Sequence, residues 1–410
     1  MGLLTRSAMR HLGLTACLAA ITLAGHAATD IEAAIDLRVI ATDSERSELD
    51  GGLGRTRFGD DARSVQLGRA RLGLQQHLGE IAKLHIDASA WGTADGTSVD
   101  VTELYLELRP YPQGPWRYQL RAGAFYPPGS LAVRASGWET PYTLSASAAD
   151  TWIAEEIRTI GVEAQAQWLG GANTHYQRAS VAAGIFGWND PAGVLLAQHG
   201  LAWHDRQTGL FERTGAGDSP YLAARELFHE IDGRAGFYVA LDWQLPERAE
   251  LLGLHYDNRA DPSQYSAALM DFAWLTKFDT VAIRAELGTH WTLLGQWLGG
   301  YTLIEVPAEL EWYFDTASLL ASYERGGQRF SVRYDESSVD ANAAAGGSAD
   351  RGHAFTFAYS RDFGTTWNLR AEWLRTDSRI ALRPLALGEP AKRDESLLQL
   401  SLRYRWSTQR

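Results

Sequence analysis

Hydrophobic and polar residues alternate strictly along the last segment of the chain, LLQLSLRYRW at 397–406. An alternation of period 2 places successive side chains on opposite faces, which predicts a β-strand with one apolar and one polar face. The polar face of this strand carries Arg403 and Arg405. The apolar face carries Leu398, Leu400, Leu402, Tyr404 and Trp406.

The same alternation recurs along the chain and predicts about sixteen strands. They lie near residues 31–42, 65–78, 81–91, 99–109, 117–125, 157–168, 174–187, 234–244, 249–258, 271–287, 291–299, 310–324, 328–335, 353–361, 366–377 and 396–406. Short turns between them alternate with mostly long polar loops near 43–64, 126–156, 188–233, 336–352 and 378–395. This arrangement is typical of outer-membrane barrels. We therefore predict an all-β fold: a transmembrane antiparallel up-and-down β-barrel over residues 28–410, with short periplasmic turns and long extracellular loops.

A soluble β-sandwich also alternates, and the positions of the aromatic residues distinguish the two folds. A sandwich core favours aromatic residues in the middle of strands, whereas a membrane barrel collects them in girdles near the strand ends. Here they lie at or near predicted strand ends, at Trp91, Trp168, Trp243, Tyr256, Trp291, Tyr323, Tyr359, Trp373 and Trp406. The membrane barrel is therefore favoured.

Closure of the barrel predicts which way the arginines of the last strand point. Every backbone polar group inside a bilayer must be paired, so the last strand is expected to pair with the first. An arginine that faces lipid at the bilayer midplane costs roughly 2–4 kcal/mol. Arg403 and Arg405 are therefore expected to face the lumen.

The N-terminal segment and the overall charge predict where the chain is located. Arg6 and Arg10 precede an apolar stretch at 12–23, and the small-x-small triplet Gly25-His26-Ala27 follows. This pattern predicts a signal peptide over residues 1–27, cleaved after Ala27, and hence export through the inner membrane to the bacterial outer membrane. The formal net charge of −12 argues against a nucleic-acid partner. Outer-membrane lipid, lipopolysaccharide and the outer-membrane assembly machinery are the expected partners.

A barrel of about sixteen strands leaves an aqueous lumen, so the simplest function is a pore. By the parity of their strands, the arginines expected to line this pore are Arg38, Arg69, Arg71, Arg121, Arg403 and Arg405. Such a basic wall favours anions. The alternative is that each arginine pairs with a neighbouring carboxylate and only stiffens the wall.

The connection 126–156 is rich in aromatic and acidic residues, which is unusual for a loop in solvent. We predict that it folds into the barrel, narrows the lumen and turns its acids towards the arginine wall. Those acids are Glu139, Asp150, Glu155 and Glu156. The alternative is an external loop that contacts a neighbouring subunit. The longer connection 188–233 is predicted to be extracellular. Its His199, His204 and His229 have no recognisable ligand spacing, so we predict neither a metal nor a cofactor.

Three stretches resemble the phosphate-selective porins O and P, a family of bacterial outer-membrane barrels. They are GRARLGLQQHLGEIAKLHIDASAW at 68–91, YLELRPYP with YQLRAGAFYPPGS between 105 and 130, and IRTIGVEAQ at 157–165. The resemblance is firmest over residues 65–165. It implies a sixteen-stranded passive porin, often a homotrimer, with its third loop as the constriction.

The leading prediction is a general or weakly anion-selective porin through which small hydrophilic solutes diffuse passively. Two alternatives stay open: a plugged barrel whose loops bind partners at the cell surface, and a hydrolase with its site at the barrel rim. The sequence contains neither a Gly-x-Ser-x-Gly elbow nor a His-Glu-x-x-His motif, so we predict no enzymatic activity.

Overall fold

In the computed structural model, sixteen strands close into a single antiparallel barrel in which each strand pairs with its neighbours in sequence. The structure describes residues 28–60, 63–93, 96–134, 137–170, 177–214, 224–305 and 308–408, so the predicted signal peptide lies outside it. The strands are β1 Thr29–Thr42, β2 Arg63–His77, β3 Ala82–Thr93, β4 Gly96–Leu108, β5 Trp116–Phe125, β6 Thr159–Trp168, β7 Arg178–Gly187, β8 Gly236–Leu245, β9 Ala249–Asp257, β10 Leu275–Leu287, β11 Trp291–Ile304, β12 Leu310–Arg325, β13 Gln328–Ala341, β14 Ala349–Phe363, β15 Trp367–Arg379 and β16 Lys392–Ser407. Each corresponds to one predicted strand, which confirms the fold prediction.

The barrel closes where the first strand meets the last. β1 pairs with β16 in antiparallel register, with Val39 opposite Leu400 and Asp36 opposite Arg403. On its other edge β1 pairs with β2, where a bulge after Asp36 shifts the register by one residue. Because no strand edge is left open in this ring, the backbone groups of the wall are paired as a bilayer requires.

The two faces of the wall differ as the alternation predicts. On β16, Leu398, Leu400 and Leu402 are about half exposed on the outside (53%, 46% and 47%), whereas Gln399 and Ser401 are buried inside (2% and 0%). Aromatic rings pack in pairs near the turn end of the wall, as in Trp291–Tyr323, Phe330–Tyr359 and Trp367–Tyr404. Trp91 and Tyr256 depart from the predicted girdle, because their strand parity turns them inward and both are buried.

Turns and loops alternate between the two ends of the barrel. The turn between β12 and β13 consists of Gly326 and Gly327, both with positive φ (60° and 73°), a conformation that favours glycine and suits a two-residue hairpin. At the opposite end, the predicted loop 336–352 is mostly strand, because β13 runs to Ala341 and β14 begins at Ala349.

Three long connections contain residues buried inside the barrel: loop A (43–62), loop B (126–158) and loop C (188–235). Loop A holds a short 3₁₀ helix, Glu48–Asp50; loop B holds helix α1, Ala148–Glu156; and loop C holds helix α2, Val194–His199. A third helix, α3, spans Arg383–Leu387 between β15 and β16. Among the described residues, no helix is long and apolar enough to cross a bilayer.

Two small ribbons lie within the connections, Arg213–Thr214 with Arg225–Glu226 and Tyr265–Ser266 with Asp271–Phe272.

Helix α1 is the centre of a hydrophobic core inside the barrel. All nine of its residues are buried, and its Trp152 ring packs against Phe278 of β10 and Phe314 of β12. Trp203 of loop C and Phe58 of loop A belong to the same cluster. Full burial of one large apolar side chain contributes about 1.5–3 kcal/mol, so this cluster holds the three loops against the wall.

The assignment of faces predicts opposite effects for arginine at two positions of β6. Val162 is 54% exposed on the outside, whereas Gln165 lines an internal cavity. Val162→Arg is expected to lower the free energy of unfolding in lipid vesicles by about 2–4 kcal/mol, because the charge enters hydrocarbon. Gln165→Arg is expected to change it by about 0.5 kcal/mol or less. Equal losses of unfolding free energy in denaturant titrations of the two variants would contradict the assignment of Val162 to the outer face and Gln165 to the inner face.

Candidate functional site

The arginines predicted to line the lumen lie on the inner face, and strand register brings three of them together. Asp36 of β1 lies opposite both Arg69 of β2 and Arg403 of β16. Arg38 lies two residues further along β1 and donates to Asp36 (Nε to Oδ2, 2.8 Å). These residues form a compact cluster on three neighbouring strands, because side chains opposite one another across paired strands lie close together.

Loop B places one carboxylate against this cluster. Glu139 accepts two hydrogen bonds from Arg403 (2.7 and 3.0 Å) and one from Arg69 (3.2 Å). Burial alone raises the pKa of Glu139, but Arg403 and Arg69 lower it, to about 2. Glu139 therefore stays ionised throughout the physiological pH range and holds the loop to two strands of the wall.

Loop C places a second carboxylate there. Asp205 accepts hydrogen bonds from Arg38 (2.5 Å) and from Arg57 of loop A (2.8 Å). Although burial opposes ionisation, these two arginines hold the pKa of Asp205 well below its ordinary value. Sequence analysis missed Asp205 and Arg57, because both lie in loops where no periodicity shows which side chains point inward.

The other three acids of loop B do not face the arginine wall, so that part of the prediction is wrong. Asp150 lies in the first turn of helix α1, where its backbone N–H donates to the N-cap hydroxyl of Ser147, and burial raises the pKa of its carboxyl to about 6. Glu155 lies 3.1 Å from Nε2 of His204 in loop C. Helix α1 packs against β11, β12 and β13, and this turns the three side chains away from Arg38, Arg69 and Arg403.

Glu156 joins loop B to loop C. Its carboxyl group accepts from the indole N–H of Trp152 (2.5 Å) and from the backbone N–H groups of Leu195 and Leu196 in helix α2 (2.7 and 3.2 Å). Burial raises the pKa of Glu156 to about 8, although these hydrogen bonds favour the ionised form.

The remaining predicted arginines pair with carboxylates of the wall. Arg121 of β5 donates twice to Glu163 of β6 (2.7 and 2.8 Å), several strands away from the cluster. Arg71 donates to Asp87 (2.6 Å), and Arg405 donates to Asp362 near the turn end (2.6 Å). Each predicted arginine therefore has at least one carboxylate partner.

Arg370 of β15, which sequence analysis did not single out, differs from these arginines. It donates to Asn368 (2.8 Å) and to the backbone carbonyl of Thr140 in loop B (3.2 Å). In the part of the chain that the structure describes, it forms no ion pair with a carboxylate.

Cavities lie on both sides of the inward loops. On the turn side, a cavity of 440 Å³ is lined by polar groups that include Gln165, Gln167 and Gln244. On the loop side, a cavity of 180 Å³ is lined by Glu155, Arg206 and Glu212. At the arginine cluster the cavity is only 20 Å³, enough for about one water molecule. Its lining includes Arg38, Arg69, Glu139, Asp205, Arg370 and Arg403.

Burial of Glu156 predicts a pH dependence of stability. A carboxyl group whose pKa rises to about 8 on folding binds more protons in the folded state than in the unfolded state. The protonated carboxyl group therefore contributes to the free energy of unfolding at low pH, and this contribution is lost as pH rises from about 5 to about 8. Glu156→Gln is expected to reduce the loss of unfolding free energy over this range, and Asp315→Asn on the outer face is the control. Matching pH profiles for Glu156→Gln and the wild type would show that burial does not raise the pKa of Glu156.

Solved outer-membrane proteins share this fold. A loop L8 deletion mutant of OmpT from Vibrio cholerae has a TM-score of 0.52 and 12% identity, over 93% of this chain and 99% of that chain. The outer membrane channel DcaP of Acinetobacter baumannii has a TM-score of 0.52 and 10% identity, over 93% and 97%. OmpF of Salmonella typhi has a TM-score of 0.52 and 9% identity, over 92% and 97%.

At identities this low, the likeness concerns the fold alone. No protein-family model matches the chain, and no curated protein matches its sequence. The chain shares the closed sixteen-stranded barrel fold of these outer-membrane proteins.

Proposed function

We propose that the protein is an outer-membrane channel through which small hydrophilic solutes diffuse passively. The observation that carries the proposal is the closed barrel with an apolar outer face and polar cavities on both sides of the inward loops. Sixteen strands enclose a bore too wide for wall side chains alone to fill. What passes is therefore set by the loops that occupy it.

Loops B and C narrow the passage in this proposal. Glu139 and Asp205 attach the two loops to the arginine cluster, and the cavity between them is the smallest of those described above. Residues 126–156 thus act as the constriction, with loop C as a second contributor. Glu139 is the acid of loop B that takes part in the constriction, while Asp150, Glu155 and Glu156 hold the loops in place.

A preference for anions follows from the charges at the constriction. The four guanidinium groups of Arg38, Arg69, Arg370 and Arg403 line the small cavity together with the carboxylates of Glu139 and Asp205. Asp36, which accepts from Arg38, and Arg57, which pairs with Asp205, carry opposite charges, so an excess of two positive charges remains there. An excess of positive charge in a narrow polar passage lowers the electrostatic barrier for anions relative to cations.

A second candidate function is a plugged barrel that binds partners at the cell surface. The hydrophobic core around helix α1 supports it, because that core joins the inward loops to strands on several sides of the bore. The two candidates differ in whether the barrel conducts ions. A channel conducts past the arginines of β1, β2, β15 and β16, whereas a plugged barrel does not conduct.

Location and partners form part of the same proposal. The signal peptide over residues 1–27, the bacterial outer membrane, lipopolysaccharide and the assembly machinery are expected for a barrel of this type. A homotrimer is also proposed, and OmpT from Vibrio cholerae, which has the same fold, is described in a trimer form. Membership of the phosphate-selective porins O and P stays a prediction, as does the absence of enzymatic activity.

Single-channel recording in planar lipid bilayers tests the channel. The wild type is expected to conduct, and Asp205→Asn is expected to increase the conductance, because Arg38 and Arg57 lose the charge that attaches loop C to the wall. Asp315→Asn, which removes an equal charge from the outer face, is expected to leave the conductance unchanged. No conductance from either the wild type or Asp205→Asn would reject the channel and favour the plugged barrel.

Ion preference is tested at Arg370, which has no carboxylate partner among the described residues. Under a salt gradient, the wild type is expected to give a reversal potential of the anion-selective sign. Arg370→Gln is expected to shift this potential towards cations, because one uncompensated positive charge leaves the constriction. The control is Arg361→Gln on the outer face near the turn end, where Arg361 lies over the ring of Phe363. Equal reversal potentials for wild type and Arg370→Gln would place Arg370 outside the ion path.

A further inference from the structure

Four side chains that are typical metal ligands meet where the three inward loops join. They form the junction cluster: Glu48 of loop A, Glu155 of loop B, and His199 and His204 of loop C. Nε2 of His204 lies 3.2 Å from a carboxylate oxygen of Glu48 and 3.1 Å from one of Glu155. Nδ1 of His199 lies 3.6 Å from the other oxygen of Glu48. All four side chains are buried.

The distances within the cluster match those between ligands that share one metal ion. Zinc binds nitrogen and oxygen ligands at about 2.0–2.2 Å in tetrahedral geometry, so two such ligands lie roughly 3.3–3.6 Å apart. The ligand atoms of Glu48, Glu155 and His204 all lie within 4.8 Å of one another. These three side chains therefore lie close enough to share one ion, and His199 borders them through its contact with Glu48.

The charge balance of the cluster also favours a bound cation. Two buried carboxylates converge on one imidazole nitrogen, and that ring supplies at most one positive charge to the two of them. The nearest arginines already have carboxylate partners, since Arg206 pairs with Glu212 and Arg55 lies 3.7 Å from Asp350. A buried carboxylate without a matching positive charge is costly, and a divalent cation supplies that charge.

Access to the cluster comes from the loop side of the barrel. The 180 Å³ cavity there is lined by Glu48, Glu155 and His199. From these observations we propose that the junction cluster binds a divalent transition-metal ion of the zinc type, with Glu48, Glu155 and His204 as ligands and His199 as the fourth. Carboxylate and imidazole are ligands that zinc accepts, whereas magnesium and calcium prefer oxygen ligands alone.

Metal binding requires one local change at His204. Its Nδ1 accepts a long hydrogen bond from the backbone N–H of Arg206 (3.3 Å). When a metal ion occupies Nε2, the neutral ring keeps its proton on Nδ1, so this contact lengthens. The backbone around His204 stays anchored, because its N–H and C=O both bond to the hydroxyl of Thr151 in helix α1 (3.2 and 2.9 Å).

A metal ion here joins three loops that are distant in sequence and lie next to the proposed constriction. Zinc is therefore expected to stabilise the closed arrangement of the loops. Zinc binding does not depend on conduction, so its test is independent of the test of the channel function.

The test is zinc binding by the full-length chain refolded in detergent, followed by equilibrium dialysis with metal analysis. The wild type is expected to bind one zinc ion per chain. His204→Ala and Glu155→Gln are expected to bind zinc with affinity lower by about tenfold or more. His255→Ala, which removes an exposed histidine on the outer wall, is the control and is expected to bind like the wild type. Cobalt absorption spectra provide a second readout, with the bands of a four-coordinate site in the wild type only.

Circular dichroism and heat-dependent gel migration establish that each variant is folded. Because Glu155→Gln keeps the size and hydrogen-bonding capacity of the side chain, it tests the ligand role even where His204→Ala fails to fold. Absence of stoichiometric zinc binding in the wild type would overturn the proposal. So would unchanged zinc affinity in folded Glu155→Gln, which would show that zinc binds the chain without Glu155 and therefore outside the junction cluster.

Discussion

The pairing of the first strand with the last is the constraint on which the structure depends. Inside hydrocarbon an unpaired backbone N–H or C=O costs several kcal/mol, so a sheet can cross a membrane only as a closed ring. The register of β1 against β16 fixes which residues face each other across the closure. Together with the register of β1 against β2, it places Asp36 beside Arg403 and Arg69 and creates the arginine cluster inside the barrel.

Closure also explains why the loops fold inward. A ring of sixteen strands encloses more space than its own inward side chains can fill. Loops A, B and C occupy that space in two ways, through apolar contacts around Trp152 and through ion pairs at Glu139 and Asp205. The apolar contacts reach strands on several sides of the bore, whereas the ion pairs of Glu139 and Asp205 are concentrated next to β1, β2 and β16. The proposed constriction and the anion preference lie at these ion pairs, and the proposed metal site lies where the three loops meet.

Much of the fold could be predicted from the sequence because the wall obeys a single rule. Each strand alternates between lipid and lumen, so parity alone placed Arg38, Arg69 and Arg403 on the inner face. The rule failed where strands extend beyond the apolar belt. In 336–352 polar and small residues occupy both faces, so the sequence predicts a loop where β13 and β14 in fact continue.

The loop contacts could be predicted only in part. The aromatic and acidic composition of 126–156 indicated an inward loop, and Glu139 meets the arginines as expected. The positions of Glu155 and Glu156 depend on helix α1 packing against loop C, where the contacting Leu195 lies 39 residues after Glu156. Asp205 and His204 depend on the same packing. Contacts between loops leave no local pattern, because tertiary packing alone brings them together.

The pairing of β1 with β16 is tested most directly by disulfide cross-linking in a chain without Cys17, the only native cysteine. Val39 lies directly opposite Leu400, so cysteines at these two positions are expected to cross-link on oxidation of the folded barrel in lipid vesicles and to change its gel mobility. Cysteines at Val39 and Gln399 point to opposite faces and are not expected to cross-link. Failure of the first pair in folded protein, or equal cross-linking of both pairs, would contradict the closed barrel in this register.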